Sequence, residues 1–354
     1  MNKSLVKTFI DLVKIDSPSG EEKNVSDYVL YRLKKNVKYV KKDQYGNIFA
    51  RIPGKGDPIF LSGHLDTVEP GRNIKPVIKN ECLYSSGNTI LGADNKAAVA
   101  CILMLAEKIV KENLSSRTVE LIFSRSEEVG NYGAVNFDYG LLTARCGYCF
   151  DSSTPVGTIV QASPYYERFD IKITGKEAHA TKPKDAINVL TIFKKILDQV
   201  NLGQLDEKSL INIGVVNTGQ VRNTIPGEIS IKGEIRSFDD LLLDRHKQKF
   251  LSIVKAAVQK YGAKLMADFV RENPGYVLKS LKEFEYLKKI FTDLNIKSSV
   301  INTWGVSDAN IFNSKKLLCI NLGDGVEFPH TKTERIRVSE IENLLKLMIK
   351  LVSL

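Results

Sequence analysis

Residues 58–66 read Pro-Ile-Phe-Leu-Ser-Gly-His-Leu-Asp, an apolar run that leads directly into His64. Six residues of this kind predict a buried strand that ends at 63. In an open α/β sheet the carboxyl ends of the strands line one crevice, and ligands bind there. The stretch therefore predicts both a sheet strand and a functional histidine at the edge of that sheet.

The segments around this strand alternate between strand and helix patterns. Amphipathic helix patterns lie at 1–15 and 21–35, and a helix rich in alanine and apolar residues lies at 95–111. Compact strand patterns lie at 46–52, 119–124 and 147–150. Alternation of this kind over the first 150 residues predicts an α/β sheet with parallel strands.

The pattern changes after Asp151. Strand, helix, strand, strand, helix and strand patterns follow at 167–174, 186–200, 210–216, 228–236, 239–261 and 263–271. This order predicts a compact α+β sandwich, inserted as a lid. From 273 the chain returns to helix and strand alternation and closes with a helix at 338–351. We therefore predict one domain from 1–163 and 273–354, with an inserted domain at 164–272.

The bulk composition agrees with two globular domains, since 354 residues are too many for one ordinary core. The formal charge is +10, but the lysines are scattered among acidic and apolar positions, as at 28–41 and 278–297. This pattern predicts a solvated basic surface and no nucleic-acid partner. The five cysteines are irregularly spaced, and the sequence shows neither a signal peptide nor an apolar run near the ~20 residues of a membrane span. We therefore predict a cytoplasmic protein without a membrane partner.

Five short motifs carry the chemistry. They are Gly63-His64-Leu65-Asp66, Gly92-Ala93-Asp94-Asn95-Lys96, Ser126-Glu127-Glu128-Val129-Gly130, Cys149-Phe150-Asp151 and Phe328-Pro329-His330-Thr331. Three of them follow apolar strands, so their side chains should converge and supply the nitrogen and oxygen ligands that zinc takes. Alone, each has an ordinary alternative: a single histidine is more often a satisfied surface or core residue, and paired glutamates are usually solvated.

The ordered set of motifs resembles the superfamily of dinuclear zinc exopeptidases and deacylases that includes aminoacylase, glutamate carboxypeptidase and peptidase T. The resemblance covers nearly the whole chain. Gly305-Val-Ser-Asp-Ala-Asn310 and Asn321-Leu-Gly-Asp-Gly325, before His330, are most similar to the peptidase T branch. The resemblance implies a zinc-exopeptidase catalytic domain with a mostly parallel central sheet, plus an inserted α+β sandwich domain for lid closure and dimerisation.

The resemblance also implies a metal centre. Two zinc ions per chain are expected, with cobalt or manganese as alternatives. Asp94 would bridge both ions, His64 and Asp151 would complete one site, and Glu128 and His330 the other.

Two acidic residues and one peptide bond complete this picture. Asp66 would contact the other ring nitrogen of His64 and fix its tautomer. Glu127 would be the general base that takes a proton from water and delivers it to the leaving amine. The Asp94–Asn95 peptide would be cis.

In the insert, the resemblance singles out three further residues. His179 would donate a hydrogen bond to the developing oxyanion, in several dimeric relatives from the partner subunit. Asn223 and Arg236 would hold a substrate carboxylate, and we expect both at one rim of the insert. The ordinary alternatives are a turn histidine for His179 and a strand-end ion pair for Arg236.

Cys146-Gly-Tyr-Cys149 lacks a second cysteine or histidine pair at zinc spacing, so we interpret it as strand packing and not as a metal or redox motif. The function expected from the motifs is that of a peptidase T-like aminopeptidase. The enzyme would cleave an amide bond of short peptides as a homodimer. An N-acyl amino acid deacylase, a dipeptidase or a carboxypeptidase on the same scaffold is the alternative. A basic binding protein that has lost the chemistry is a third hypothesis, which the intact ligand set disfavours.

Overall fold

The computed structural model describes residues 2–279 and 281–354. Met1 and Ser280, which fall within the predicted helix at 1–15 and the predicted domain segment 273–354, lie outside the described residues.

The described chain contains both α-helices and β-strands. The helices are α1 (Lys3–Val13), α2 (Lys23–Lys34), α3 (Ala93–Lys111), α4 (Tyr132–Val135), α5 (Val189–Leu197), α6 (Asp240–Lys260), α7 (Leu281–Asp293), α8 (Asp308–Ser314) and α9 (Val338–Val352). The strands are β1 (Tyr39–Lys42), β2 (Ile48–Ile52), β3 (Ile59–His64), β4 (Pro76–Lys79), β5 (Cys82–Ser85), β6 (Val119–Ser124), β7 (Cys146–Ser152), β8 (Thr158–Ser163), β9 (Tyr165–Thr174), β10 (Ala178–His179), β11 (Gly203–Asp206), β12 (Ser209–Thr218), β13 (Thr224–Ile225), β14 (Glu228–Ser237), β15 (Lys264–Asn273), β16 (Tyr276–Val277), β17 (Ser299–Asn302), β18 (Leu318–Gly323), β19 (Val326–Glu327) and β20 (Arg335–Arg337).

The chain divides into two compact units, each described here by itself. Unit 1 comprises Met1–Gln161, Leu278–Thr303 and Ser307–Leu354, and unit 2 comprises Ala162–Val277 and Trp304–Val306. The sequence patterns placed the insert at 164–272. Its lid and dimerisation roles stay predictions.

The central sheet of unit 1 has a parallel middle. Its strands run in the order β1-β2-β6-β3-β7-β18-β8. The four strands β6, β3, β7 and β18 are mutually parallel, and the pairs β2 with β6 and β8 with β18 are antiparallel. The α/β class with a mostly parallel central sheet is therefore confirmed.

The middle strands form because their sequences are apolar on both faces. Every residue of β3 and of β6 is buried, which is typical of parallel strands covered on both sides. The helix α3 contacts β3, α1 and α9, and its residues 97–103 are all buried. This packing fixes the carboxyl ends of the parallel strands beside the start of α3.

Unit 2 is an antiparallel sheet with helices. Its sheet runs β11-β12-β14-β9-β15, and α5 and α6 contribute to its apolar core together with residues such as Phe169 and Ile231. All four pairings in this sheet are antiparallel. The short strand β11 pairs with only the first residues of β12, Ser209–Ile211. The remainder of β12 therefore forms an outer edge of the described sheet.

The short strands were not predicted from the sequence. A four-stranded sheet, β19-β20-β5-β4, is built from strands of two to four residues, which are too short to show a clear period. This small sheet positions His330, which lies in the loop between β19 and β20.

Within residues 2–279 and 281–354, no helix is both long and apolar enough to cross a membrane.

Candidate metal centre

The predicted ligands come from different elements that meet at one edge of the central sheet. His64 is the last residue of β3, and Asp151 lies one residue before the end of β7. Glu127 and Glu128 follow the end of β6, and Asp94 lies at the start of α3. Because parallel strands place their carboxyl ends at the same edge, these side chains come together there.

His64 lies in the middle of the first group of ligands. Its ring is buried, and Nε2 lies 3.1 Å from Asp94 Oδ1 and 3.8 Å from Asp151 Oδ1. On the other side of the ring, Nδ1 lies 3.0 Å from the backbone carbonyl oxygen of Asp66 and 3.4 Å from Asp66 Oδ1. Asp66 thus occupies the Nδ1 side, and Nε2 faces the two carboxylates.

His330 lies in a second group with Glu128 and Asp94. Its Nε2 is 3.1 Å from Glu128 Oε2 and 3.4 Å from Asp94 Oδ2. The two oxygens of Asp94 therefore face different histidines, Oδ1 toward His64 and Oδ2 toward His330. Potential ligand atoms within each group lie no more than 4.8 Å apart. The two groups share Asp94, and the Asp94–Asn95 peptide is cis.

Electrostatics indicate that this cluster suits cations. Burial, and then the nearby Asp94 carboxylate, raise the pKa of Asp151 well above its usual value. Burial also opposes ionisation of Asp94, but hydrogen bonds with His330 and His64 lower its pKa. Hydrogen bonds to Asp94 and Glu128 raise the pKa of His330 to about 10. The crowded carboxylates attract positive charge. Together with the two imidazoles they form a donor set of the kind that holds divalent metal ions.

Glu127 is buried beside this cluster and is held from two directions. Its Oε1 accepts a hydrogen bond from Asn131 Nδ2 at 2.6 Å. Its backbone amide donates to Asp66 Oδ1 at 3.0 Å, and the amide of Glu128 donates to Asp66 Oδ2 at 3.2 Å. Burial and the Asp151 carboxylate raise the pKa of Glu127 well above its usual value. A third possible ligand group, His64 with Glu127 and Glu128, includes this residue.

Sequence comparison identifies the family that carries this arrangement. Residues 60–354 match Peptidase family M20/M25/M40. The chain belongs to this family. A protein of Bacillus subtilis (strain 168) called "Uncharacterized protein YqjE" is 30% identical over 99% of this chain and 98% of its own length. Peptidase T of Limosilactobacillus fermentum is 25% identical over 85% of this chain and 74% of its own length.

Solved structures of M20 relatives have the same fold. A tripeptidase from Staphylococcus aureus superposes with a TM-score of 0.96 at 28% identity, covering 99% of this chain and 97% of its own. Aminopeptidase PepT from Bacillus cereus superposes with a TM-score of 0.92 at 29% identity, with the same coverage. The predicted membership of the zinc-exopeptidase superfamily, in its peptidase T-like branch, is confirmed, as is the prediction of a metallopeptidase.

The structure of this M20 chain adds a carboxylate that the sequence did not single out. Glu334 is buried and accepts hydrogen bonds from the backbone amides of Leu91, Gly92 and Asp94, at 2.8 to 3.1 Å. Burial raises its pKa to about 7. Glu334 thereby fixes the backbone that presents Asp94. The only signal in the sequence is an acidic residue four positions after His330.

The two motifs typical of the peptidase T branch supply positioning contacts. Asp308 is buried and accepts a hydrogen bond from Asn131 Nδ2 at 3.1 Å, so Asn131 connects it to Glu127. Asn321 accepts from the backbone amide of Asp151 at 3.0 Å and donates to its carbonyl oxygen at 2.9 Å. These motifs therefore hold Glu127 and Asp151 in place.

Lys96 of the Gly-x-Asp-x-Lys motif connects two other segments of unit 1. It is buried, and its ammonium donates to the carbonyl oxygen of Leu65 at 2.6 Å and to the hydroxyl of Ser17. Burial lowers its pKa to about 8. The lysine thus supports the backbone between His64 and Asp66.

Within unit 2, His179 and Asn223 lie together on the surface. His179 Nε2 is 3.5 Å from Asn223 Nδ2, and His179 Nδ1 is 2.8 Å from the hydroxyl of Thr181. Their strands also pair, with His179 opposite Thr224. The structure therefore brings these two predicted residues to one place.

Arg236 does not lie with them, and the expectation of one shared rim is wrong. Asn223 precedes the start of β14, whereas Arg236 is the ninth of its ten residues. An extended strand rises about 3.4 Å per residue, so Arg236 lies about 27 Å from the first residue of β14. A short separation along the sequence does not bring the two residues together here, because an unbroken strand holds its two ends apart.

The guanidinium of Arg236 already has several partners. It donates to Glu234 Oε2 at 3.0 Å and to the carbonyl oxygen of Trp304 at 2.6 Å, and it lies over the ring of Tyr166 at 4.6 Å from the centroid. These contacts match the ordinary alternative of a strand-end ion pair. They also orient the guanidinium along a defined direction at this end of unit 2.

A cavity of about 380 Å³ opens beside Glu128. Pro18, Val68 and the exposed Val129 supply apolar walls. Charged groups are also present, namely Glu21, Glu69 and Arg72, whose guanidinium pairs with both glutamates at 2.7 Å. The cavity thus combines apolar walls with an excess of negative charge at the edge of the ligand cluster.

Proposed function

We propose that the chain is a metal-dependent aminopeptidase that cleaves an amide bond of short peptides. The observation that carries this proposal is the pair of ligand groups that share Asp94, with the buried Glu127 carboxylate beside them. The similarity to a tripeptidase and to aminopeptidase PepT, each over nearly the whole chain, supports the choice of substrate.

The five predicted ligands divide between two metal ions. His64, Asp94 and Asp151 would hold one ion, and Asp94, Glu128 and His330 the other. Three protein ligands per ion leave a coordination position open, as catalytic sites require. We propose zinc as the native metal, with cobalt or manganese as alternatives, because imidazole and carboxylate donors accept all three. Two ions held in this way would lower the pKa of water and polarise the carbonyl group of the substrate.

Glu127 supplies the proton transfer in this proposal. Its Oε1 is held by Asn131, which leaves Oε2 to accept a proton from the attacking water. The same carboxyl group then delivers the proton to the amine that leaves when the amide bond breaks. Burial makes the protonated form of Glu127 accessible, because it disfavours the charged carboxylate.

The cavity beside Glu128 is the proposed place of the first residue of the peptide. Its apolar walls suit an aliphatic side chain, and Glu21 and Glu69 together outweigh the charge of Arg72. A free amino terminus is positively charged and is attracted to this excess of negative charge. An N-acylated substrate lacks that charge, so the cavity favours an aminopeptidase over a deacylase.

We also propose a homodimer in which His179 acts on the site of the partner subunit. Asn223 and His179 lie before the first residue of β14, whereas Arg236 lies about 27 Å further along that strand. A single short peptide cannot contact both ends within one unit 2. A site that uses all three residues therefore requires His179 and Asn223 from one copy and Arg236 from another. In that arrangement, Arg236 would turn from Glu234 toward the carboxylate of the substrate.

The outer edge of β12 is the proposed dimer contact. Beyond Ile211 it lacks a neighbouring strand in the described sheet, and Val215 and Val216 are 43% and 41% exposed. An edge with unpaired backbone groups and apolar side chains is a template for pairing with a second copy.

We further propose a cytoplasmic location, because all five cysteines are free thiols.

A substrate panel tests the proposed function. Free, N-acetylated and C-amidated di- and tripeptides are assayed with the protein loaded with zinc, cobalt or manganese. The proposal expects cleavage of free peptides, with a released amino-terminal residue, and little turnover after N-acetylation. A preference for N-acetylated substrates would instead assign a deacylase, and release of the carboxyl-terminal residue would assign a carboxypeptidase.

A further inference from the structure

The buried carboxylate of Glu22 contacts the loop that carries the proposed base, Glu127. Glu22 immediately precedes α2, and its side chain is fully buried. Its Oε1 accepts hydrogen bonds from the backbone amide of Ser126 at 3.0 Å and from the Ser126 hydroxyl at 2.9 Å. The backbone amide of Gly20 donates to the same oxygen at 3.0 Å. Glu22 therefore fixes Ser126, the residue that comes directly before Glu127.

Arg125 holds the other oxygen of Glu22. Its Nε and Nη2 donate to Glu22 Oε2 at 3.0 and 2.5 Å, and its Nη1 donates to the carbonyl oxygen of Tyr45 at 3.1 Å. Burial opposes the ionisation of Glu22, but hydrogen bonds from the Gly20 amide and from Arg125 lower its pKa. Hydrogen bonds to an ionised carboxylate are stronger than those between neutral groups. The carboxylate thus binds two consecutive residues of the loop, Arg125 and Ser126.

The backbone of Ser126 explains why this loop requires support. Its φ is +52°, in the left-handed region that residues other than glycine adopt uncommonly. Such conformations persist where the surrounding structure fixes them, and they cluster at active sites. The turn at Ser126 lies between Ser124, the last residue of β6, and Glu127. The contacts with Glu22 therefore hold the turn through which the chain reaches Glu127.

A second contact reaches the same loop through Ser19. Its hydroxyl donates to Asp66 Oδ2 at 2.7 Å. Asp66 in turn accepts hydrogen bonds from the backbone amides of Glu127 and Glu128. The chain just before α2 thus holds this loop in two places, directly through Glu22 and indirectly through Ser19.

We propose that Glu22 is a positioning residue for the base. By holding Arg125 and Ser126, it keeps the carboxylate of Glu127 at the place from which it accepts the proton of the attacking water. The inference rests on the proposed peptidase function. Glu22 acts only through the loop and contacts neither metal nor substrate in this proposal. A displacement of about 1 Å can cost about 100-fold in rate, so a looser loop should lower kcat while the binding of metal and peptide stays close to that of the wild type.

The variant Glu22→Gln tests the proposal, and Glu120→Gln is its matched control. Glu120 is also fully buried, and it also accepts hydrogen bonds from an arginine, two backbone amides and one hydroxyl. These donors belong to Arg51, Thr143 and Ala144. Glu120 is the second residue of β6, about 14 Å of extended strand before its last residue. Both substitutions should therefore cost similar stability, but only Glu22→Gln should affect the base.

Kinetics with a free tripeptide at saturating metal separate positioning from general destabilisation. Glu22→Gln should lower kcat about tenfold or more, with KM and metal content close to the wild-type values. Glu120→Gln should keep the wild-type kcat, and urea denaturation shows whether the two variants are equally stable. The proposal is overturned by an equal fall of kcat in both variants, by a wild-type kcat in folded Glu22→Gln protein, or by loss of metal from that variant.

A second pair of variants applies if Glu22→Gln does not fold. Arg125→Lys keeps the positive charge but removes the paired donors to Glu22, and Arg51→Lys makes the same change beside Glu120. The two arginines are similarly buried, at 24% and 27% exposure. Arg125→Lys alone should lower kcat, and an equal effect of the two lysine variants would count against the proposal.

Hydrogen exchange of backbone amides gives a measurement that does not depend on activity. In the metal-loaded protein, mass spectrometry should show that residues 125–131 exchange about tenfold faster or more in Glu22→Gln than in the wild type, because the loop opens more easily. In Glu120→Gln, faster exchange should instead appear around Thr143. A wild-type protein that cleaves no peptide would refute the proposed function, whereas unchanged exchange at 125–131 in Glu22→Gln would refute the role of Glu22.

Discussion

The carboxylate of Asp66 accepts a hydrogen bond from the backbone amide of Glu127, at 3.0 Å between Oδ1 and the nitrogen. Its other oxygen accepts from the amide of Glu128 at 3.2 Å. Asp66 also lies against Nδ1 of His64. One buried carboxylate thus connects the end of β3 to the loop after β6, and it orients a proposed metal ligand and the proposed base together.

Replacement of Asp66 should therefore damage the site without removing a ligand. We expect Asp66→Ala to lower the metal affinity or kcat by about 10–100-fold, the usual effect of losing a group that orients metal ligands. Metal affinity is measured by competition with a chelator, and kcat with saturating metal. Asp293→Ala, at an exposed position, is the control. Wild-type values for both quantities in Asp66→Ala would show that Asp66 does not orient the site.

Asn131 is expected to act through Glu127. Asn131→Ala removes the 2.6 Å hydrogen bond to Glu127 Oε1 and should lower kcat about tenfold, which corresponds to about 1.4 kcal/mol of transition-state free energy. KM and metal content should change little, because Asn131 contacts neither substrate nor metal in this account. Asn131 and Asn136 flank the short helix α4. Asn136→Ala removes only an exposed hydrogen bond to the backbone and provides the control. Loss of metal from Asn131→Ala would assign Asn131 to the integrity of the metal centre instead.

The sequence predicted that His64 and Asp151, two of the proposed metal ligands, lie close together. His64 and Asp151 end apolar strands, and the directions of parallel strands then bring them to one edge. The contacts of Glu334 with Leu91 and of Asp308 with Asn131 could not be predicted in this way, since they join segments more than 170 residues apart in the chain. The predicted position of Arg236 beside Asn223 was wrong for a related reason. The number of residues between them does not show that an extended strand, β14, lies in between.

Glu334 should contribute to the stability of unit 1. Glu334→Gln keeps the size of the side chain but replaces one acceptor oxygen with an amide, which leaves backbone amides near Asp94 without good partners. We expect the free energy of unfolding in the presence of a chelator to fall by about 1–3 kcal/mol. Urea denaturation measures it. Glu112→Gln, which breaks only an exposed ion pair with Lys108, should cost about 0.5 kcal/mol or less, and an equal loss in both variants would count against the role of Glu334.

Mixed dimers test the action of His179 across subunits. Neither His179→Ala nor Glu127→Gln should be active alone. After their subunits are mixed, half of the dimers contain one complete site, so activity should return to roughly a quarter of the wild-type value. Complementation in trans is the only source of that activity, and its absence in a mixture shown to contain mixed dimers would assign His179 to its own chain.

The edge of β12 should control assembly. Val216→Lys places a charge among the exposed apolar side chains of this edge and should convert the dimer to a monomer, since charged residues block pairing between strand edges. Light scattering after gel filtration measures the mass. The same change should abolish complementation between His179→Ala and Glu127→Gln subunits. Met266→Lys, on the opposite edge strand β15, is the matched control, and dissociation by that variant alone would place the interface on β15.

The metal content and activity of Glu127→Gln distinguish a general base from a metal ligand. Wild-type protein and Glu127→Gln are purified in parallel, and bound metal is measured together with the cleavage of a free tripeptide. We expect two equivalents of metal per chain in both proteins, with kcat lower by about 10²–10⁴-fold in the variant. Chelation should abolish the wild-type activity, and added zinc should restore it. Full activity of the metal-free wild-type protein, or loss of metal from Glu127→Gln, would contradict the assignment of five ligands and one separate base.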